Sequence, residues 1–313
     1  MVRILVVGAT GNIGREVAKA CAEEGHLVFA LVRAATRVSK VALVEELSAA
    51  GIQLVDGDLQ DPASVEQAFR SCHPVEAVIS AVAGSQVADQ IHLIHSSQKA
   101  ETVKRFLPSE FGVVHTTAKA EVPEIVGARI SIFKQIQAAG LPYTLVHSNG
   151  FMEDWFSGLG QLGKTYPPNP VLLFGDGSIH GVATTRRDIA IYTAKSLDDP
   201  RTLNKRLVIA PSCNFATQTD LVRKWEGVSG QKIQMELMKA EELEAQIQGS
   251  ASLKSSSNYS STTYLQLAKA MWIAGDCSHP LPSDAVEASA LYPDHKVTSP
   301  EEFYAQLLLK GPG

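Results

Sequence analysis

Gly8-Ala9-Thr10-Gly11-Asn12-Ile13-Gly14 follows an apolar run, Ile4 to Val7, that starts almost at the first residue, and it leads into the helical pattern Glu16-Val17-Ala18. A strand that ends in a glycine-rich turn and opens a helix aims free backbone N–H groups at an anion, so the stretch reads as a dinucleotide pyrophosphate site. The glycines divide the work between a tight turn, a backbone close enough to touch phosphates, and close packing of helix on sheet. The spacing is G-x-x-G-x-x-G rather than G-x-G-x-x-G, and alone such a pattern also occurs in ordinary loops. In context, Gly8, Thr10, Gly11, Asn12, Ile13 and Gly14 are the expected cofactor-binding residues of this turn.

The next apolar run, Leu27 to Val32, ends in Arg33, nineteen residues past Gly14. A site for NAD places Asp or Glu about 20 residues on, to bind the ribose hydroxyls, whereas arginine there suits the 2′-phosphate of NADP. Arg37 and Lys40 follow in the same loop, and a guanidinium fork beside further cations favours a dianionic phosphate. The cofactor predicted is NADP(H), used as NADPH. Any one of the three cations, taken singly, also fits a solvated basic loop.

With 313 residues, 45% hydrophobic and 19% charged, the chain suffices for one large α/β domain, alone or with a smaller companion. A net charge of -5 argues against a nucleic-acid or anionic-membrane surface, since both attract basic patches. No apolar segment approaches the ~20 residues that span a bilayer, and no leader precedes the first strand, so the expected location is cytoplasmic. The scattered Cys21, Cys72, Cys213 and Cys277 suggest neither a zinc site nor a disulfide framework, and read as small buried residues. The nine histidines include no metal pair; His92 and His95 read as surface residues.

Through about residue 150, strand-like runs alternate with helical patterns, the signature of βαβ units. Strands are predicted at 3–7, 27–32, 52–55, 76–82, 103–107 and 143–147, and helices at 12–24, 40–50, 62–71, 86–99 and 124–139. The fold class expected is α/β: a Rossmann-type doubly wound parallel sheet. Residues 1–150 form its NADP(H)-binding domain and 151–313 a smaller substrate-binding lobe, with some elements returning to the first domain. In the second part a strand is expected at 171–174, helices near 186–197, 217–229 and 239–248, and a short strand at 206–209. The Ser- and Thr-rich segment from Ser250 to Thr263 reads as a loop or helix connection.

Several strings together resemble one family: the plant isoflavone reductase, pinoresinol–lariciresinol reductase and phenylcoumaran benzylic ether reductase group, an atypical branch of the short-chain dehydrogenases with NmrA-like relatives. The carriers, spread over nearly the whole chain, include the glycine turn, Leu31-Val32-Arg33, Gly140-Leu141-Pro142-Tyr143-Thr144, Ser148-Asn149 and Gly175-Asp176-Gly177. The most specific is Arg105-Phe106-Leu107-Pro108-Ser109-Glu110-Phe111-Gly112. The resemblance implies that Arg33 and Lys40 bind the 2′-phosphate and that Ser109, Phe111 and Asn149 line the nicotinamide cleft, at strand carboxyl ends. It further implies NADPH-dependent hydride delivery to a phenylpropanoid-type aromatic substrate: a benzylic ether, lignan, isoflavone or flavonoid. That small molecule and, at most, a second copy of the chain are the expected partners, with no nucleic acid and no membrane.

The family's helix after the Ser-Glu-Phe-Gly loop carries a lysine that handles the proton or oxyanion, and counting back from Gly140 puts Arg129 at that position. Lysine can release a proton when its pKa falls, whereas arginine stays charged and only donates hydrogen bonds. Three explanations compete. Arg129 acts as the catalytic residue, a fixed cation holding an oxyanion while water supplies the proton; or Lys119 or Lys134 reaches the site; or catalysis is lost, leaving an NADP(H)-binding redox sensor of NmrA type. A reductase of another carbonyl or quinone is a further alternative. The Tyr-x-x-x-Lys of ordinary short-chain dehydrogenases occurs only as Tyr292 to Lys296, interrupted by Pro293, and is set aside. Around Asn149, His147 and the stretch Phe151, Met152, Trp155 and Phe156 are candidate substrate contacts. An apolar stripe at helical spacing is, in general, also what a core helix shows.

Overall fold

Alternate residues of the first strand go to opposite cores. In β1 (Arg3–Val7), Ile4 and Val6 join one buried cluster, and Leu5 and Val7 join another on the opposite face. Strand side chains alternate in direction, so a strand apolar throughout must be covered on both sides. The structure, a computed structural model, describes residues 1–114, 123–250, 261–278 and 280–312. With β2 (Leu27–Val32), β3 (Gln53–Asp56), β4 (Ala77–Ser80) and β5 (Arg105–Leu107), β1 builds a parallel sheet in the order β3-β2-β1-β4-β5. Of the connecting helices, α1 (Asn12–Glu23) covers the Ile4 face. The short α2 (Ala34–Ser39) and α3 (Val41–Ala49) follow β2. The Leu5 face is covered by α4 (Pro62–Ser71), α5 (Ile91–Ala100) and α6 (Pro123–Ala138), which supply Phe69, Leu93 and Ile132 to its cluster. Local chemistry sets these starts: the Asp61 carboxylate accepts from the Ala63 N–H at 3.0 Å, and Pro62 occupies the first turn, where no donor is needed.

The chain continues through β6 (Thr144–His147), β7 (Gly150–Phe151), β8 (Val171–Phe174), β9 (His180–Thr184), β10 (Lys205–Val208), β11 (Phe215–Thr217), β12 (Met235–Met238) and β13 (Ala285–Glu287). Strands β6, β10 and β13 form a parallel three-stranded sheet. It abuts the first sheet along one line, where Phe106 bridges Tyr143 and the Phe106 N–H donates to the Pro142 carbonyl at 2.8 Å. The buried Arg105 reinforces that line, donating to the Thr144 and Thr202 hydroxyls at 2.7 and 2.9 Å and to the Asp199 carbonyl at 3.1 Å. Late strands thus return to the side of the first sheet. A third core gathers β8, β9 and the helix Gln218–Ser229 around Trp225 and Trp272.

The early elements that the sequence predicts lie within about one turn of their expected places, but the stretch from Arg33 to Lys40, read as a loop, contains the short helix α2. The 86–99 helix starts only at Ile91, because two single 3₁₀ turns precede it. Of the Ser- and Thr-rich segment, residues 251–260 lie outside the described residues, and the helix Ser261–Lys269 replaces its end. Cys213 is exposed, contrary to expectation, while Cys21, Cys72 and Cys277 are buried.

Candidate active site

The carboxyl ends of β1, β4, β5 and β6 are tied together by backbone contacts, and each depends on the residue present. Gly8 has φ of 90°, and a Cβ there would stand 2.3 Å from the Ala81 carbonyl oxygen, past the end of β4. A Cβ on Gly14 would stand 2.1 Å from the Gly8 carbonyl oxygen, so α1 seats directly against the turn. The Gly11 N–H donates to the Gly8 carbonyl at 2.9 Å. No side chain caps α1 and no acid sits in its first turn, where Gly11 and Asn12 are exposed and Thr10 and Ile13 half-buried. Uncapped N–H groups at a helix start form an anion site.

Across the end of β2, the Lys40 ammonium donates to the Thr10 carbonyl at 3.3 Å, which joins the cationic loop to the glycine turn. Arg33 is exposed just before α2. Arg37 is committed elsewhere, its Nε on the Asp56 carboxylate at 2.5 Å, so Arg33 and Lys40 are the cations left for a phosphate here.

The loop after β5 is held from below and from the side. The Ser109 N–H donates to the Gln90 side-chain oxygen at 2.8 Å and the Ser109 hydroxyl to the Val82 carbonyl at 2.9 Å. Phe111 shares a buried cluster with Ala9 and Ala81. The Asn149 N–H donates to the Gly112 carbonyl at 3.1 Å, its side-chain amide donates to the Ile209 carbonyl at 3.1 Å, and its φ is 55°. A non-glycine residue in the left-handed region costs about 1–3 kcal/mol, and such positions cluster at ligand sites. Arg129, on α6, lays its guanidinium against Gly112, where a Cβ would stand 2.8 Å from Nη1. It makes no hydrogen bond or ion pair with another described residue, and its Nε is buried. Lys134 is exposed, and Lys119 lies outside the described residues.

Three of the expected substrate contacts belong to a core instead. Met152 and Phe156 are fully buried and Trp155 is 7% exposed, all in the cluster of the second lobe, with Trp155 edge-on to Trp272 at 6.2 Å. Their helical spacing turns one stripe inward, and the stripe covers β8 and β9 rather than a ligand. His147 is also fully buried, 3.3 Å from the Arg206 guanidinium, and offers no surface to a small molecule. Phe151 is half-buried beneath the Arg186 guanidinium at 5.6 Å. Trp155→Ala is therefore expected to lower stability by about 3–5 kcal/mol, as aromatic truncation in a core does. A melting curve unchanged from wild type would contradict that placement.

The residues that face open space beside Asn149 come from segments far apart in sequence. A cavity of about 230 Å³ is lined by Val114, Asn149, Phe215, Asp276, Cys277 and Leu281, among others. No pattern in any one segment signals this convergence. Burial, with the nearby Asp276 charge second, pushes the Cys277 thiol up to about 12, so it stays protonated and unreactive. Among the described residues no group of His, Cys, Asp and Glu is placed to hold a metal, and no helix is long and apolar enough to cross a membrane.

Residues 2–304 match the model of the NmrA-like family. A phenylcoumaran benzylic ether reductase of Ginkgo biloba is 37% identical over 98% of this chain and 99% of its own. An isoflavone reductase homolog of Nicotiana tabacum is 36% identical, with 96% of each chain covered. Among solved structures, AtPrR2 with NADP+ and (+)pinoresinol superposes with a TM-score of 0.87 at 32% identity, covering 98% of both chains. The leucoanthocyanidin reductase–NADPH complex of Vitis vinifera gives 0.87 at 26% identity, covering 98% of this chain and 99% of the other.

Proposed function

The chain belongs to the NmrA-like family, and from that premise we propose that it reduces a phenylpropanoid-type aromatic substrate with NADPH. It is an NADPH-dependent oxidoreductase, in line with the reductases that align with it along almost their whole length, two of them solved with NADP+ or NADPH bound. The cradle fits the cofactor on its own geometry: Gly8 and Gly14 leave no room for a Cβ, and the uncapped start of α1 faces the same side. Gly8, Thr10, Gly11, Asn12, Ile13 and Gly14 would hold the pyrophosphate, Arg33 and Lys40 the 2′-phosphate, and Ser109, Phe111 and Asn149 the nicotinamide end. Bound NADPH supplies the hydride. Residues 1–150 then form the cofactor part, and later segments supply most of the cavity that receives the substrate.

The observation that carries the proposal is the Arg129 guanidinium lying on Gly112 with no hydrogen bond or ion pair to another described residue, in the loop bonded to Asn149, which lines that cavity. There it donates hydrogen bonds to an oxyanion as hydride arrives, either a leaving phenolate or a developing enolate, while water provides the proton. NADPH consumption, followed by absorbance over phenylpropanoid dimers, isoflavones, flavonoids and small quinones, tests it. Turnover of an aromatic ether or an activated alkene is expected. Tight NADPH binding without turnover across the panel would overturn it.

The 2′-phosphate assignment has its own test. The double variant Arg33→Ser with Lys40→Ala should weaken NADPH by roughly 100-fold while leaving NADH nearly unchanged, since each charge-assisted bond contributes about 1.5–3 kcal/mol. Arg37→Ala, which breaks only the contact to Asp56, should change the NADPH to NADH ratio little. Equal losses for both cofactors in the double variant would remove Arg33 and Lys40 from the phosphate site.

A further inference from the structure

Gln90 is fully buried at the end of the second 3₁₀ turn after β4, a place where a long polar side chain needs partners for both ends of its amide. It has them. The side-chain oxygen accepts from the Ser109 N–H at 2.8 Å, and the side-chain nitrogen donates to the Val87 carbonyl at 2.9 Å. The first bond holds the chain just as it leaves β5; the second anchors Gln90 to its own turn. The Ser109 hydroxyl adds a parallel tie to Val82, which leaves the Ser109 backbone N–H with Gln90 as its partner.

The tie extends further than one residue. From Ser109 the loop runs to Gly112, which carries the Arg129 guanidinium on one side and the Asn149 N–H on the other. Ala81 and Val82, at the start of the segment that leads to Gln90, meet Gly8 and Ser109 respectively. A shift at Ser109 is therefore passed to both groups that flank the proposed nicotinamide end, whereas Arg33, just after β2, and Lys40, just after α2, are spared.

We propose that Gln90 is a positioning residue that sets the loop after β5, and with it Arg129 and Asn149, against the nicotinamide without touching cofactor or substrate. The inference rests on the reductase proposal. Removing the amide leaves a buried N–H without an acceptor, and a loop that moves to satisfy it no longer presents the same face.

The test separates the two ends of the cofactor. NADPH and 2′,5′-ADP, which lacks the nicotinamide, are titrated against wild type and Gln90→Leu. The matched comparison is Gln218→Leu, which removes an equally buried glutamine clamping the Phe174 N–H at 2.8 Å in the second lobe. Gln90→Leu is expected to weaken NADPH about tenfold, the scale of one lost buried hydrogen bond, and to move 2′,5′-ADP less than twofold. Its bound-NADPH fluorescence should shift toward that of free cofactor, a change in the nicotinamide surroundings that a loss of stability alone would not produce. Gln218→Leu should lower the melting temperature without separating the two ligands. Equal weakening of both ligands by Gln90→Leu, or an unaltered NADPH affinity, overturns the inference alone. Wild type that binds 2′,5′-ADP and NADPH equally well, with no nicotinamide signal, overturns the inference and the reductase proposal together.

Discussion

Gly8→Ala is expected to cost more than about 3 kcal/mol of stability and to abolish measurable NADPH binding. Two independent penalties coincide there. The backbone sits at φ 90°, a conformation alanine adopts only under strain of about 1–3 kcal/mol. Its Cβ would also stand 2.3 Å from the Ala81 carbonyl oxygen, a backbone atom that cannot swing aside as a flexible side chain does. Retreat of Ala81 is resisted by its own N–H, which donates to the Val7 carbonyl at 2.8 Å within the sheet. Gly25 provides the contrast: its φ is 82°, but nothing lies within 4 Å of a Cβ, so Gly25→Ala should cost only about 1 kcal/mol and leave NADPH binding intact. Thermal melts with NADPH fluorescence titration measure both. A Gly8→Ala protein with wild-type melting and affinity would mean that the turn is not the cradle described.

Arg129→Ala is expected to reduce turnover by about 100-fold or more, the usual loss on removing one donor to a transition-state oxyanion. NADPH affinity should stay within a few-fold of wild type, because the contacts proposed for the cofactor lie chiefly at the glycine turn and at Arg33 and Lys40. Arg129→Lys is more informative than the truncation. It keeps a positive charge but loses the planar fork, so a partial loss of turnover is expected. It should also change the shape of the pH profile. A guanidinium stays protonated to beyond about pH 12 and contributes no alkaline limb, whereas lysine loses its charge as pH rises through its own pKa. Turnover by Arg129→Lys should therefore fall on the alkaline side while wild type stays level. Steady-state rates across that range decide it. An Arg129→Ala enzyme with undiminished turnover would place the oxyanion contact elsewhere.

Most of the cofactor half was legible because its signals are local. Strands apolar on both faces, the glycine turn and Arg33 each lie within a few consecutive residues, and helix α4 announces itself through Asp61 and Pro62. The second lobe gave less. Strands β7, β9, β11, β12 and β13 carry no continuous apolar run of their own like those of β1 or β8, and they pair with partners far along the chain. The stripe of Met152, Trp155 and Phe156 was ambiguous for a plain physical reason: a helix facing a core and a helix facing an aromatic ligand carry the same residues at the same spacing. The structure resolves it by covering the stripe with Trp272 and its neighbours. Gln90 gave no signal at all, since a glutamine before a helical pattern is ordinary until its two amide partners are known.

The line where β5 meets β6 acts on the proposed reaction as a mechanical seam. On one bank stand the glycine turn and the loop carrying Ser109 and Gly112; on the other stand Asn149 and the strands that lead to the cavity. Across it the sheet has a single bridge where the other strand pairs share several, and a buried arginine supplies the stitching that backbone pairing omits. The register between hydride donor and acceptor is thus guarded by side-chain bonds of Arg105 at the floor of the seam and by the Asn149–Gly112 contact at its mouth. Both fastenings lie outside the regular pairing of either sheet, so a change in the gap would strain them before it disturbed the strands on either bank.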